Sequence, residues 1–180
     1  PDTIFHTLEP VAFRNQDGTA VSFLGSDTII SVAHLFYSSD SAFSRIAMDY
    51  MDKLALKFAS KKAVQFYSIS VDPKDEPSAL AATVSAYSNP TARKWFIVGQ
   101  PSVDILAYAQ KQMLLNAGRD SQDSTRFLID DQVILIDSKH RIRGFYPLSQ
   151  YSEMKRLEDE IKLQLVEEVR DNPMRVEKNS

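Results

Sequence analysis

Two apolar, β-branched runs separated by an amphipathic stretch constrain this chain more than any other feature of it. Residues 28–37 (TIISVAHLFY) and 64–71 (VQFYSISV) lack the alternation of a half-solvated strand, which predicts strands covered on both faces within a parallel or mixed sheet. Between them Ser38, Ser39, Asp40 and Ser41 supply consecutive N-cap residues, and Phe43, Ile46, Ala47, Tyr50, Met51, Leu54 and Phe58 recur at three- and four-residue steps. That spacing predicts an amphipathic helix over residues 41–60. Strand, crossover helix and strand make a βαβ unit, so the remaining elements must build on an α/β sheet.

They read accordingly. Val11 and Arg14 bound a short strand before Asn15-Gln16-Asp17-Gly18, and residues 19–23 form its hairpin partner. Asp72-Pro73 ends the second buried run, because proline cannot continue a ladder. Pro77 opens a helix bearing Ala79, Leu80, Thr83, Val84 and Tyr87, Trp95 to Val98 is a short strand stopped at Gly99, and residues 102–115 are helical again. Residues 116–131 (NAGRDSQDSTRFLIDD) are polar and lack a period, as a surface loop does. Residues 132–136 and 141–146 make a second hairpin around Asp137-Ser138-Lys139-His140, and Leu157, Ile161, Leu165 and Val169 mark a long last helix from Ser149. Hairpin, two βα units, strand, helix, hairpin and closing helix is the thioredoxin-like α/β order, with an N-terminal β-hairpin extension and a long C-terminal helix.

Composition narrows function by exclusion. The 180 residues, 43% hydrophobic and 25% charged, suit one domain over residues 1–171, with a polar, fraying tail at 172–180. Twenty-one basic against 24 acidic residues, a net charge of -3, disfavours nucleic acid and anionic lipid surfaces as partners. The chain has no cysteine, so disulfides, thiolate metal sites and cysteine nucleophiles are excluded. No run approaches the roughly 20 apolar residues that cross a bilayer. The chain opens on Pro1 rather than Met, which leaves room for an upstream leader or anchor. Phosphate-loop, dinucleotide, nucleophile-elbow and helical zinc motifs are all missing.

Five segments resemble the Sco/SenC family, the thioredoxin-fold copper proteins of cytochrome oxidase assembly, over about residues 5–162. They are Asn15-Gln16-Asp17-Gly18, Val32-Ala33-His34-Leu35-Phe36-Tyr37-Ser38-Ser39, Val71-Asp72-Pro73-Lys74-Asp75-Glu76-Pro77, Trp95-Phe96-Ile97-Val98-Gly99, and Leu135-Ile136-Asp137 with Arg141-Ile142-Arg143-Gly144-Phe145-Tyr146. The family's chemistry rests on a Cys-x-x-x-Cys pair at the start of the first long helix and a distal His. The resemblance lays these onto Asp40, Ser44 and Ile129, so all three copper ligands are replaced. Soft thiolates select Cu(I) and carry thiol-disulfide exchange. The expectation is therefore a degenerate, non-catalytic member without a cofactor. It would act as a binding or assembly factor, with a protein partner in respiratory oxidase assembly meeting Asp40, Ser44, Asp123 and Asp130. The resemblance also implies export to a periplasmic or membrane-anchored location.

The residues themselves allow a narrower set of alternatives. Asp40 reads as the N-cap of the first helix, with a hard-metal ligand or general base as the other reading. Ser44 has no histidine near it in sequence and reads as a helix-surface serine. His34 stands six residues before Asp40, so both face the same way if strand geometry persists. A metal site rebuilt from His34 with Met48 and Met51, or from the carboxylates, leaves a copper chaperone for cytochrome oxidase assembly as the alternative function, although methionines at helical spacing are ordinarily core. His6 and His140 read as solvated. Asp120, Asp123, Asp130 and Asp131 lack the pattern of a calcium loop, and Asp72, Asp75 and Glu76 read as turn and cap residues. Trp95 and Phe96 read as core.

Overall fold

The computed structural model of the chain describes residues 6–40 and 43–171. The two buried runs become β3 (Ile30–Phe36) and β4 (Val64–Ser70), parallel neighbours in register from Ile30 opposite Val64 to Phe36 opposite Ser70. β5 (Trp95–Val98) extends the parallel side beside β4, while β8 (Gln132–Ile136) and β9 (Ile142–Pro147) add antiparallel strands beyond β3. The order is β5-β4-β3-β8-β9, which puts β3 at the centre, and every β3 residue is buried.

Alternate β3 residues feed two cores. Ile30, Val32 and Phe36 pack under α1 (Phe43–Lys57) and α4 (Tyr151–Asp171), through Met48, Met51, Leu54, Met154, Leu157 and Ile161. α2 (Pro77–Val84) adds Leu80 to this layer. On the other face Ala33 and Leu35 meet α3 (Ile105–Lys111) and the hairpin of β1 (Val11–Arg14) and β2 (Ala20–Phe23). That hairpin turns where Asn15 Oδ1 accepts the N–H groups of Asp17 and Thr19 at 2.9 and 3.0 Å and Gly18 takes φ +74°, a left-handed conformation that costs glycine little.

Residues 116–131 differ from expectation. They contain a small antiparallel hairpin, β6 (Ala117–Arg119) and β7 (Phe127–Ile129), rather than a plain loop. Phe127 buries its ring in an edge contact with Tyr37, centroids 5.2 Å apart, and the Arg119 guanidinium lies over the same ring at 5.0 Å. That aromatic anchor supplies the apolar contact a loop lacks. α3 is also shorter than residues 102–115, because Asp104 caps it by accepting from the N–H groups of Leu106 and Ala107 at 3.1 and 3.3 Å. The expected tail lies outside the described residues, as do Ser41 and the N-terminal boundary of α1.

Candidate functional site

After Phe36 the chain leaves the sheet and turns, with the Asp40 N–H donating to the Tyr37 carbonyl at 3.1 Å. Strand geometry therefore stops before Asp40, and the expected common face of His34 and Asp40 is not realised. His34 stays in the core beneath α1, at 1% exposure, while Asp40 is only partly buried at the mouth of two clefts.

One cleft is walled by Tyr37, Asp40, Asn116, Phe127, Ile129 and Asp130, with Arg126, Leu128 and Asp131 at its edge. Asp40 and Ile129, 89 residues apart in sequence, are thus brought to one concavity. Leu128 stands 55% exposed beside them. Asp130 is held by the Asn116 backbone N–H at 2.7 Å. The second cleft runs between α1 and α2, where Asp40 and Ser44 meet Arg45, Met48, Ala82 and Tyr87. Ser44 is not the surface serine its sequence position suggested. It is buried, and its hydroxyl donates to the Tyr37 carbonyl at 3.3 Å.

The turn that presents Asp40 is fixed from below by Asp75. This carboxylate, read from the sequence as a turn or cap residue, is 2% exposed. It accepts the Ser38 N–H at 2.9 Å, the Ser38 hydroxyl, and the Ser70 hydroxyl at 2.5 Å, and Ser70 Oγ in turn accepts the Asp72 N–H at 3.1 Å. Such donors replace the water that a buried carboxyl group gives up. The sequence signal was the acid three residues after Asp72, on the turn that leaves a buried strand. Asp72 behaves as read, accepting the Lys74 N–H at 2.9 Å, and Glu76 takes the N-cap position of α2 without a side-chain cap bond.

His34 belongs to a different unit. Its Nε2 shares a 2.7 Å hydrogen bond with the Ser68 hydroxyl, which also accepts Trp95 Nε1–H at 2.9 Å, and its Nδ1 has no partner. Burial pushes the imidazole down to about 4, outweighing an opposing backbone interaction at Leu35, because desolvation penalises the charged form. Met48 and Met51 are fully packed in the same core layer. Trp95 is core as read, whereas Phe96 is only partly buried.

Among the remaining sequence candidates, Asp123 stands at the hairpin tip, away from the cleft walls, and its carboxyl is held below the usual range by the Thr125 hydroxyl and N–H. Asp120 accepts the Gln122 N–H at 2.9 Å. Among the described residues, no three His, Asp or Glu side chains gather where a metal ion could be held. His140 is partly exposed and its Nε2 meets the Ser26 carbonyl at 2.9 Å, while His6 is exposed.

Comparison with known proteins places this geometry in context. The SCO1/SenC family profile matches residues 5–164. A SCO1/SenC family lipoprotein from Bacillus anthracis str. Ames shares the fold at a TM-score of 0.72 and 23% identity, over 86% of this chain and 96% of that one. BsSco, described as a member of the Sco family of cytochrome c oxidase assembly proteins with a disulfide switch, gives 0.75 at 20% identity over 92% and 96%. Copper-bound ScoI of Bradyrhizobium japonicum gives 0.60 at 17% identity over 83% and 98%. No curated protein sequence matches the chain. The thioredoxin-like α/β fold with an N-terminal hairpin and long C-terminal helix is thus the fold observed.

Proposed function

We propose that this chain, which belongs to the SCO1/SenC family, is a non-catalytic binding or assembly factor that has kept the family scaffold and lost its copper and redox site. The observation that carries this reading is the complete absence of cysteine. Asp40, Ser44 and Ile129 stand in for the family's three ligands, and two of them still line one cleft. What they offer there is a carboxylate and an alkyl side chain, and the third is a hydroxyl already committed to a backbone carbonyl. Cu(I) prefers thiolate and imidazole donors, so this set does not fit it. Without a thiol, neither disulfide exchange nor thiol peroxidase chemistry can proceed.

A partner would meet the cleft around Asp40 and Ser44 and the neighbouring hairpin with Asp123 and Asp130. The exposed Leu128 beside charged walls supports this, since interfaces pair an apolar centre with a polar rim. Family membership favours a partner in oxidase assembly. The lipoprotein relative favours an exported, anchored location, and no helix among the described residues is long and apolar enough to cross a membrane.

A second reading, a copper chaperone with a rebuilt site, has one observation in its favour: the unpartnered Nδ1 of buried His34 in the same layer as Met48 and Met51. Anaerobic titration of the protein with Cu(I), following bound metal and Trp95 fluorescence, separates the two. The proposed function predicts no binding above background. One tight equivalent that disappears in His34→Ala would establish the chaperone instead.

A further inference from the structure

The last described turns of α4 run on past the residues that anchor the helix. Gln164 is its last fully buried side chain, yet the helix continues to Asp171. Over that extension Val166 and Val169 are 63% and 52% exposed. They face the C-terminal end of α1 across a groove of about 840 Å³, lined by Lys57, Phe58, Lys61, Lys162, Leu165, Val166, Val169 and Arg170. Half of its lining is apolar, and every polar side chain lining it is cationic, in a chain whose net charge is -3. Lys57 is paired with Glu158 at 2.5 Å and Arg170 with Asp171 at 3.2 Å. Lys61 and Lys162, on opposite walls, make no ion pair among the described residues.

We propose that this groove binds a single-chain anionic amphiphile, a molecule with one acyl tail and a carboxylate or phosphate head. The tail would lie along Leu165, Val166 and Val169, above the buried Phe58 ring, removing the exposed apolar surface of the valines from water. The head would sit between Lys61 and Lys162, where charge complementarity selects an anion. The volume falls within the roughly 300–1,000 Å³ range of small-molecule sites, which are apolar with a few placed polar groups. A concave site open along one side suits one chain. The net charge argued against broad anionic surfaces, and it does not bear on a local groove with no acid in its lining.

The test uses sodium dodecanoate below its micellar concentration, with affinity read by calorimetry and the contact mapped by amide chemical shifts. Saturable binding that perturbs residues 57–61 and 162–170, at least tenfold weaker in the double variant Lys61→Glu, Lys162→Glu and in Val166→Asp, is the expected result. All three positions are exposed, so these variants should fold, and unchanged thermal unfolding would confirm it. Absence of saturable binding would overturn the proposal. Equal affinity for dodecyltrimethylammonium would reduce it to apolar adhesion. Binding only to phosphatidylglycerol vesicles, with none to the monomer, would assign the patch to a bilayer and overturn it as well.

Discussion

His34 and Asp75 are both buried and polar, and the protein treats them in different ways. His34 is kept neutral, its imidazole pushed down to about 4 by desolvation. The unfolded chain binds a proton near its ordinary value of 6.5 that the folded chain refuses until about pH 4. Stability attached to His34 is therefore complete above pH 6.5 and is lost as pH falls from there towards 4, at up to about 1.4 kcal/mol per unit. Urea unfolding of the wild type and His34→Leu at pH 7 and pH 4.5 should show the variant losing about 2 kcal/mol less across that interval. Equal losses would remove His34 from the account. Asp75 accepts three hydrogen bonds, and it ties the turn bearing Asp40 to the end of β4. Asp75→Ala leaves those donors in a dry site without a partner, at a cost of about 3 kcal/mol. A loss under about 0.5 kcal/mol in the same unfolding assay would mean that water replaces the carboxylate freely.

At the scale of elements, the β6–β7 hairpin is the part of the site least visible in the sequence. Its strands are three residues each, too short for a period to register, and the connecting residues 120–126 are uniformly polar. Only Phe127-Leu128-Ile129 stood out, and nothing local indicated that Phe127 would find Tyr37, 90 residues earlier in the chain. The long runs behaved differently: β3 and β4 are continuous apolar runs and α1 and α4 carry helical periods, tertiary packing reinforced both, and β3, β4 and α4 lie close to their expected bounds. Phe127→Ala removes the aromatic part of the hairpin's anchorage and leaves the Gln110 bond to the Ala117 carbonyl and the Asn116–Asp130 bond, so it should loosen the hairpin selectively. Large-to-small changes at such a site cost about 3 kcal/mol. Amide exchange of residues 117–119 and 127–129 should accelerate by about a hundredfold, with β3 and β4 unchanged. Uniform acceleration through the sheet would show instead that the hairpin is integral to the global core.

Taken as a whole, the molecule keeps the fold of the SCO1/SenC family in a chain without cysteine. The order of sheet and helices was legible because β-branched runs, caps and prolines mark element ends locally. The clefts around Asp40 were not, since they arise where a turn, a helix start and a distant hairpin meet. The resemblance supplied Asp40, Ser44 and Ile129 as one set, and the fold brings Asp40 to both clefts, Ile129 to one and Ser44 to the other. If the scaffold is retained and only the donors are gone, restoring the donors should restore the site. The most direct measurement is anaerobic Cu(I) titration of the triple variant Asp40→Cys, Ser44→Cys, Ile129→His beside the wild type, in competition with a chromophoric Cu(I) chelator. The account predicts one tight equivalent in the variant and none in the wild type. Tight binding by the wild type, or none by the correctly folded variant, would contradict it.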